Sequence, residues 1–374
     1  MRSILSLNER DRRWSAMQAA MRASNLDAIV VGQTDARGQK GAFRYLSDER
    51  PFHRFGYVVM PRDREPIAVL HPVLAYDMRG CWIADVRTPA EAGVELVAIL
   101  REAGAVRVGV IGADHAFRRR DYAALAKAGV ELVDCDALFE TLRRIKSAEE
   151  IVALEEASTI ADQCFALLLE SARPGMREAE LSGLLTSLAL ARGADELLFL
   201  TMSGTATDTG HRAVIRTPDQ TPIPSGAPFI FSIELSGPSG FWVELARVLS
   251  FGASADAAEI AELATRSVSA ARAVMRDGVS GAAIQAALES PFDPILYEVA
   301  SGSGHAIGQD VIELPMIGRA APDDLRFAEG MALAMHPMFH CRDRPVAGYV
   351  ADTYVLERDH ARVLSRWPLQ LYRR

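Results

Sequence analysis

The sequence predicts an α/β (α+β) chain built as two domains, a small mixed sheet with flanking helices over residues 1–140 and a larger helix-and-sheet domain over 141–374. Three observations carry this. Short apolar strands alternate with helical stretches through the first 140 residues. A capping box at Ser147 then opens a long helix. Further on, residues 229–252 have the period-two alternation and the turn of an antiparallel hairpin. With 374 residues, 49% of them hydrophobic, the chain has apolar material for two cores. A net charge of -8, with no extended run of Lys or Arg, argues against nucleic acid or an anionic membrane as the main partner. The first 14 residues are charged before any apolar segment develops, and no apolar span of membrane length follows. The expected compartment is the cytoplasm. Cys81, Cys135, Cys164 and Cys341 are scattered without a C-x-x-C pair, the usage of reduced thiols rather than of a disulfide framework or zinc knuckle.

In chain order, residues 10–25 read as an amphipathic helix and Leu26 to Gly32 as a short apolar strand. Further strands are expected at 55–60, 67–70, 108–111 and 131–134, with helices at 90–103 and 120–128. Phe43, Arg44 and Tyr45, and then Phe52, His53 and Arg54, place cations beside aromatics in segments read as loops. Ser147 as N-cap, with Glu150 at the reciprocal position, starts a helix that runs to about Ser171. Pro174-Gly175 breaks it, and a second helix spans 177–192 before Gly193. Residues 202–212, rich in Ser, Gly, Thr and Asp, form a loop that carries His211. Helices at 255–276 and 281–289, then strands at 331–335 and 349–356, complete the reading.

The hairpin carries the chemistry. In its first arm Phe229, Phe231, Ile233 and Leu235 alternate with Ile230, Ser232 and Glu234. If the turn is symmetric about Ser239, Glu234 and Glu244 sit directly opposite each other on one face, with Trp242 and Ala246 flanking the second; a bulge in the turn instead puts one Glu in solvent. Like charges across a strand pair are destabilising, so facing carboxylates call for a metal, a shared proton, a histidine or a cationic ligand between them.

Taken together, the order of segments is distinctive: Arg144-Ile145-Lys146-Ser147-Ala148-Glu149-Glu150-Ile151, the Pro174-Gly175-Met176-Arg177 stretch, the loop histidine, the hairpin, residues 304–315 (Gly-His-Ala-Ile-Gly-Gln-Asp-Val-Ile-Glu-Leu-Pro), and Gly330-Met331 leading to His336-Pro337. It resembles the pita-bread family of creatinase, prolidase and aminopeptidase P across nearly the whole chain. The resemblance implies a creatinase-type N-terminal domain and a pita-bread catalytic domain with a curved antiparallel sheet. It also implies a homodimer in which Arg44 or Arg54 reaches the neighbour's substrate. Metal-binding relatives use two Asp, one His and two Glu. Here those positions fall on Glu234 (or Ile233), Glu244, His305, His336 and Ala351, the last followed by Asp352, while the family's second His becomes Ile312 and leaves Glu313.

With Ala351 unable to ligate, the expectation is a site that lacks a dinuclear metal and closest in logic to metal-independent creatinase. The expected activity is hydrolysis of a C–N bond of amidine, guanidino or amide type in a small polar, carboxylate-bearing, non-peptide substrate. His211 is the expected general base, and Glu234, Glu244, His305 and His336 complete the catalytic set. Trp242, Arg44, Arg54 and Asp352 are candidates for binding substrate, and Glu313 and His340 for accessory roles. The leading expectation requires no cofactor. Three alternatives stand beside it: one zinc or iron held by Glu244, His305 and His336 in a hydrolase or lyase, an Xaa-Pro peptidase, or a non-catalytic binding protein.

Overall fold

The computed structural model describes residues 5–34, 36–49, 54–74, 81–203, 215–322, 324 and 326–374. It divides into two compact units, Ser3–Arg144 and Ile145–Arg374.

The N-terminal unit opens with α1 (Leu7–Ala23), whose N-cap Ser6 accepts a hydrogen bond from the Glu9 amide. Then follow β1 (Ala28–Gln33), α2 (Gly41–Ser47), β2 (Gly56–Pro61), β3 (Ile67–Leu70), β4 (Asp85–Arg87), α3 (Ala92–Glu102), β5 (Arg107–Ile111), α4 (Arg119–Ala126), β6 (Glu131–Asp134) and α5 (Asp136–Arg143). The strands form one sheet in the order β4-β3-β2-β1-β5-β6, parallel between β1, β5 and β6 and antiparallel between β1, β2 and β3. Its core packs Val30, Tyr57, Val69, Leu96, Val108 and Leu125. One expectation is corrected here: Phe43, Arg44 and Tyr45 lie in the helix α2, and all three are buried. The segment reads as a loop because its charges and aromatics alternate, but burying Phe43, Tyr45 and Leu46 outweighs solvating the backbone. Phe52 and His53 lie outside the described residues.

The C-terminal unit begins with α6 (Ala148–Ser171), and its capping box is complete: Ser147 accepts from the Glu150 amide while Glu150 accepts from the Ser147 amide. Buried Leu154, Ala157, Ala161, Phe165 and Leu168 recur at helical spacing along the side that α6 turns to the hairpin strands. Next come α7 (Glu178–Ala191), β7 (Glu196–Ser203), β8 (Pro228–Ser236), β9 (Trp242–Ser250), α8 (Ala255–Val274), β10 (Val279–Ser280), α9 (Gly281–Glu289), β11 (Tyr297–Val299), β12 (Gly302–Ala306) and β13 (Glu313–Gly318). The unit closes with β14 (Arg326–Phe327), β15 (Ala332–Met335), β16 (Met338–Cys341), β17 (Ala347–Tyr349), β18 (Ala351–Leu356), β19 (Ala361–Val363) and β20 (Tyr372–Arg373). Its main sheet is curved and runs β13-β12-β15-β18-β9-β8-β7, every neighbouring pair along that path being antiparallel. Among the described residues no helix is long and apolar enough to cross a membrane.

Candidate active site

The site is a consequence of strand register. In β8 and β9 the pairing is symmetric about Ser239, so Glu234 lies directly across from Glu244 and no bulge intervenes. Side chains directly opposite share a face, and alternate residues along a strand share it too. Carried across the sheet, this puts Leu198 and Leu200 of β7 on the side of Glu234 and Ser232. Across β9 and β18, Ala246 faces Ala351. Thr353 faces Ala334, which in turn faces His305, with Met316 beyond it. One face therefore collects two glutamates and a histidine, and His336 joins them just past the end of β15, where its amide donates to the Ser303 carbonyl at 2.9 Å. Gly304 permits the close approach of β12 to β15, because a Cβ there would run into the Ala334 carbonyl.

These residues floor a cavity of ≈ 400 Å³. Glu234, Glu244, His305, His336 and Tyr349 are the titratable groups among its described lining residues, and its walls are apolar, chiefly Leu198, Leu200, Ile312, Met316 and Met338. His305 Nδ1 contacts its neighbour's carbonyl, Ala306 O, at 3.1 Å, and its Nε2 lies 3.5 Å from Glu244 Oε1. That backbone contact fixes the proton on Nδ1 and leaves Nε2 as the basic nitrogen facing the carboxylate. The His305 and His336 rings are 5.0 Å apart, and His336 stacks on Tyr349 at 5.9 Å and 27°. Thr353 Oγ1 accepts from the Glu244 amide at 2.8 Å, tying β18 to β9 at that residue.

Electrostatically the floor is under tension. Burial pushes the Glu234 carboxyl up to about 7, against a 3.2 Å hydrogen bond from Ser232 that favours its charged form. Glu244 is driven well above the ordinary carboxylate range by burial and then by Glu234 opposite. Among the described residues its buried Oε2 has no hydrogen-bond partner. Burial lowers both histidines, His336 to about 3 with His305 adding to the effect. Both imidazoles are thus neutral near pH 7, which is the form that binds a metal ion. Tyr349 is held well above the ordinary phenol range by burial and by the two glutamates, so its hydroxyl stays protonated.

A ligand atom from each of Glu244, His305 and His336 lies within 4.8 Å of the other two. The residues present therefore fit a divalent ion: three donors of the type zinc and iron favour, with an orphaned carboxylate oxygen that a cation would satisfy. Ala351, across from Ala246 on the same face, offers no ligand atom.

The other expected site residues are placed elsewhere. Asp352 belongs to the opposite face, alternating with Ala351 and Thr353, and is ion-paired with Arg247 at 2.8 Å. Trp242 is 2% exposed at the start of β9, its amide donating to Gly308 O at 2.7 Å. Arg44 is buried within α2 close to Asp48, and Arg54 is exposed on the N-terminal unit. His211 lies outside the described residues. Sequence reasoning missed Tyr349, the apolar wall and Lys146. Lys146 Nζ pairs with Glu313 Oε2 at 2.6 Å, both side chains buried, and so holds Glu313 beside the cavity. Leu198, Leu200 and Met316 reach this face only through the pairing of β7 with β8 and of β13 with β12, and no sequence signal links Lys146 to Glu313.

The two units match two families. Residues 13–145 match the Creatinase/Prolidase N-terminal domain and residues 152–358 match Metallopeptidase family M24. The chain belongs to that metallopeptidase family. An uncharacterized peptidase of Bacillus subtilis, YqhT, is 26% identical over 252 residues, covering 64% of this chain and 67% of its own. The X-Pro aminopeptidase of Thermotoga maritima superposes with a TM-score of 0.84 at 15% identity, covering 96% of this chain and 99% of its own. Dipeptidase PepE of Mycobacterium ulcerans gives 0.80 at 22% identity, with 99% of each chain covered. These correct the expectation of a site without a cofactor: membership of a metallopeptidase family and the Glu244, His305, His336 cluster overturn it. The parallel with creatinase chemistry on a non-peptide substrate finds no support among these relatives, whose names are those of peptidases.

Proposed function

We propose that the protein is a metal-dependent hydrolase of amide C–N bonds in short peptides or peptide-like molecules, with Glu244, His305 and His336 holding a divalent ion. The observation that carries this reading is the mutual reach of those three ligand atoms, within 4.8 Å, around the orphaned Glu244 oxygen. When bound, the ion supplies Lewis-acid polarisation of an amide carbonyl. The chain's own groups do the rest. The Ala306 carbonyl orients the His305 ring, and Thr353 fixes the backbone of Glu244. Glu234, across from Glu244 and outside the ligand triad, is assigned proton transfer to the departing nitrogen. Tyr349 is a protonated donor toward oxygen that gains charge.

The walls set the substrate class. Leu198, Leu200, Ile312, Met316 and Met338 favour a neutral, apolar side chain beside the scissile bond. Xaa-Pro dipeptides with a hydrophobic first residue are the first substrates to test, since the X-Pro aminopeptidase shares this fold. Homodimeric assembly belongs to the same proposal, and light scattering at the mass of a single 40.7 kDa chain would refute it.

The test is to strip the protein with chelator, reload it with manganese, cobalt, zinc or iron, and measure metal content alongside hydrolysis of Leu-Pro, Phe-Pro and N-acyl amino acids. The reading predicts one ion retained per chain, activity that requires it, and loss of both in His305→Ala. Full activity in the metal-free protein would sink it.

A further inference from the structure

We propose that the cavity at one edge of the N-terminal sheet is a binding site for a small organic anion, a carboxylate or phosphate carried on a planar ring. It has ≈ 640 Å³ and lies wholly within the N-terminal unit. Its position follows from topology. The chain lays β2, β3 and β4 to one side of β1 and β5 and β6 to the other, so the strand order reverses between β1 and β5, which are parallel. Open α/β sheets receive ligands in the crevice beyond the carboxyl ends of their strands at such a switch point. The lining comes from that edge. Gln33 and Thr34 end β1, His71 follows β3, Pro89 follows β4, and the segment from His115 to Arg120 follows β5. Antiparallel β2 contributes its amino end, Arg54 and Phe55.

The lining is cationic although the whole chain carries -8. Arg54, Arg118 and Arg120 all border the cavity, and among the described residues no carboxylate does. Arg118 is already aimed. Its Nε donates to Asp121 at 2.6 Å and its guanidinium lies over the Phe55 ring, 3.4 Å from the centroid. Asp121 is further held by the Tyr57 hydroxyl at 2.7 Å and the Gly93 amide at 3.2 Å, so this one carboxylate positions the Arg118 fork, while Arg54 and Arg120 stand at the rim. Arg120 approaches Asp121 only to 3.8 Å and its side chain is 66% exposed. Three guanidiniums round one cavity repel each other, and a bidentate anion relieves that repulsion. Phe117, half-buried and packed against Tyr57, is the aromatic wall on which a ring would lie, while Phe55 is buried beneath the Arg118 guanidinium.

Isothermal titration of the full chain with phenyl phosphate, benzoate and inorganic phosphate tests this. The expectation is one saturable site per chain, below about 10 mM, for at least one ring-bearing anion, with inorganic phosphate weaker. Whether phenyl phosphate or benzoate binds more tightly tells which anionic group the arginines select. Arg120→Gln and Arg54→Gln should each weaken binding, by about tenfold together, with Arg120→Lys intermediate. Binding should survive Glu244→Gln, which alters only the other cavity. No saturation by any of the three anions, an affinity untouched in the Arg54→Gln, Arg120→Gln variant, or loss of binding in Glu244→Gln would overturn the proposal.

Discussion

The two faces of the main sheet near β9 and β18 both bury carboxylates, and they treat them in opposite ways. On one face Asp352 pairs with Arg247, which is itself saturated: its guanidinium also donates to the carbonyls of Ala246, Ala351, Trp367 and Pro368. Burial still raises the Asp352 carboxyl, but the arginine opposes the rise. On the other face of the sheet, across β8 and β9, the pattern inverts. Glu234 and Glu244 face each other, both pushed upward, and among the described residues neither pairs with an Arg or Lys and one oxygen of Glu244 has no hydrogen-bond partner. A buried charge with its partner supplied by the chain is structural; a buried charge whose partner is left to be supplied marks a place where something binds. The same contrast separates Lys146–Glu313, closed on itself, from the open histidine pair it adjoins.

The comparison can be broken at several points. The largest effect is expected at Glu244→Gln, which should lower amide hydrolysis by about two to four orders of magnitude while leaving the melting temperature of metal-free protein unchanged or higher, because it removes a carboxylate that nothing compensates. A fall in melting temperature with activity retained would make Glu244 a structural residue like Asp352. On the other face, Arg247→Ala should destabilise by about 3–5 kcal/mol, since it strands Asp352 in the interior; denaturant titration reads this directly, and a change below 1 kcal/mol would remove the distinction. Third, a divalent ion at about 100 times its dissociation constant should stabilise the protein by about 2.7 kcal/mol, and His305→Ala should abolish the gain. Equal stabilisation in His305→Ala would place the ion elsewhere.

The smallest effect concerns Asp48, a carboxylate intermediate between the two kinds. It accepts from the Leu5 amide at 3.0 Å and lies near Arg44, yet burial carries it up to about 7. The folded state therefore binds its proton more tightly than the unfolded chain does. The resulting stability is present in full below about pH 4 and is lost as pH rises through about 7. Unfolding measured across that window should show the decline, and Asp48→Asn should flatten it; asparagine suits the left-handed backbone at that position. An unchanged slope in the variant would assign the decline to other groups.

Local pattern carried much of this structure. The capping box at Ser147, the helix that follows it, the first strands and the hairpin all announce themselves within a few residues, because caps and period-two alternation are short-range physics. The facing of Glu234 and Glu244 follows from a turn of known length, so it too was legible. The helix α2 was not: its signal is only seven residues long, and burial rather than propensity makes it a helix. Adjacency in the sequence misled at Asp352, where being next to Ala351 puts the side chain on the opposite face.

By itself, then, the sequence determined the α/β class, the order of elements, the family resemblance and the identity of four cavity groups, since each is encoded in residues close together or in a motif of fixed spacing. Only the tertiary structure decided which of them meet. Glu244 comes from β9, His305 from β12 and His336 from the end of β15, and only the interposed strands β18 and β15, with the small residues Ala351 and Ala334, bring their ligand atoms within 4.8 Å. Strand order and closeness of packing across a curved sheet are set by long-range pairing, which no local pattern of residues records.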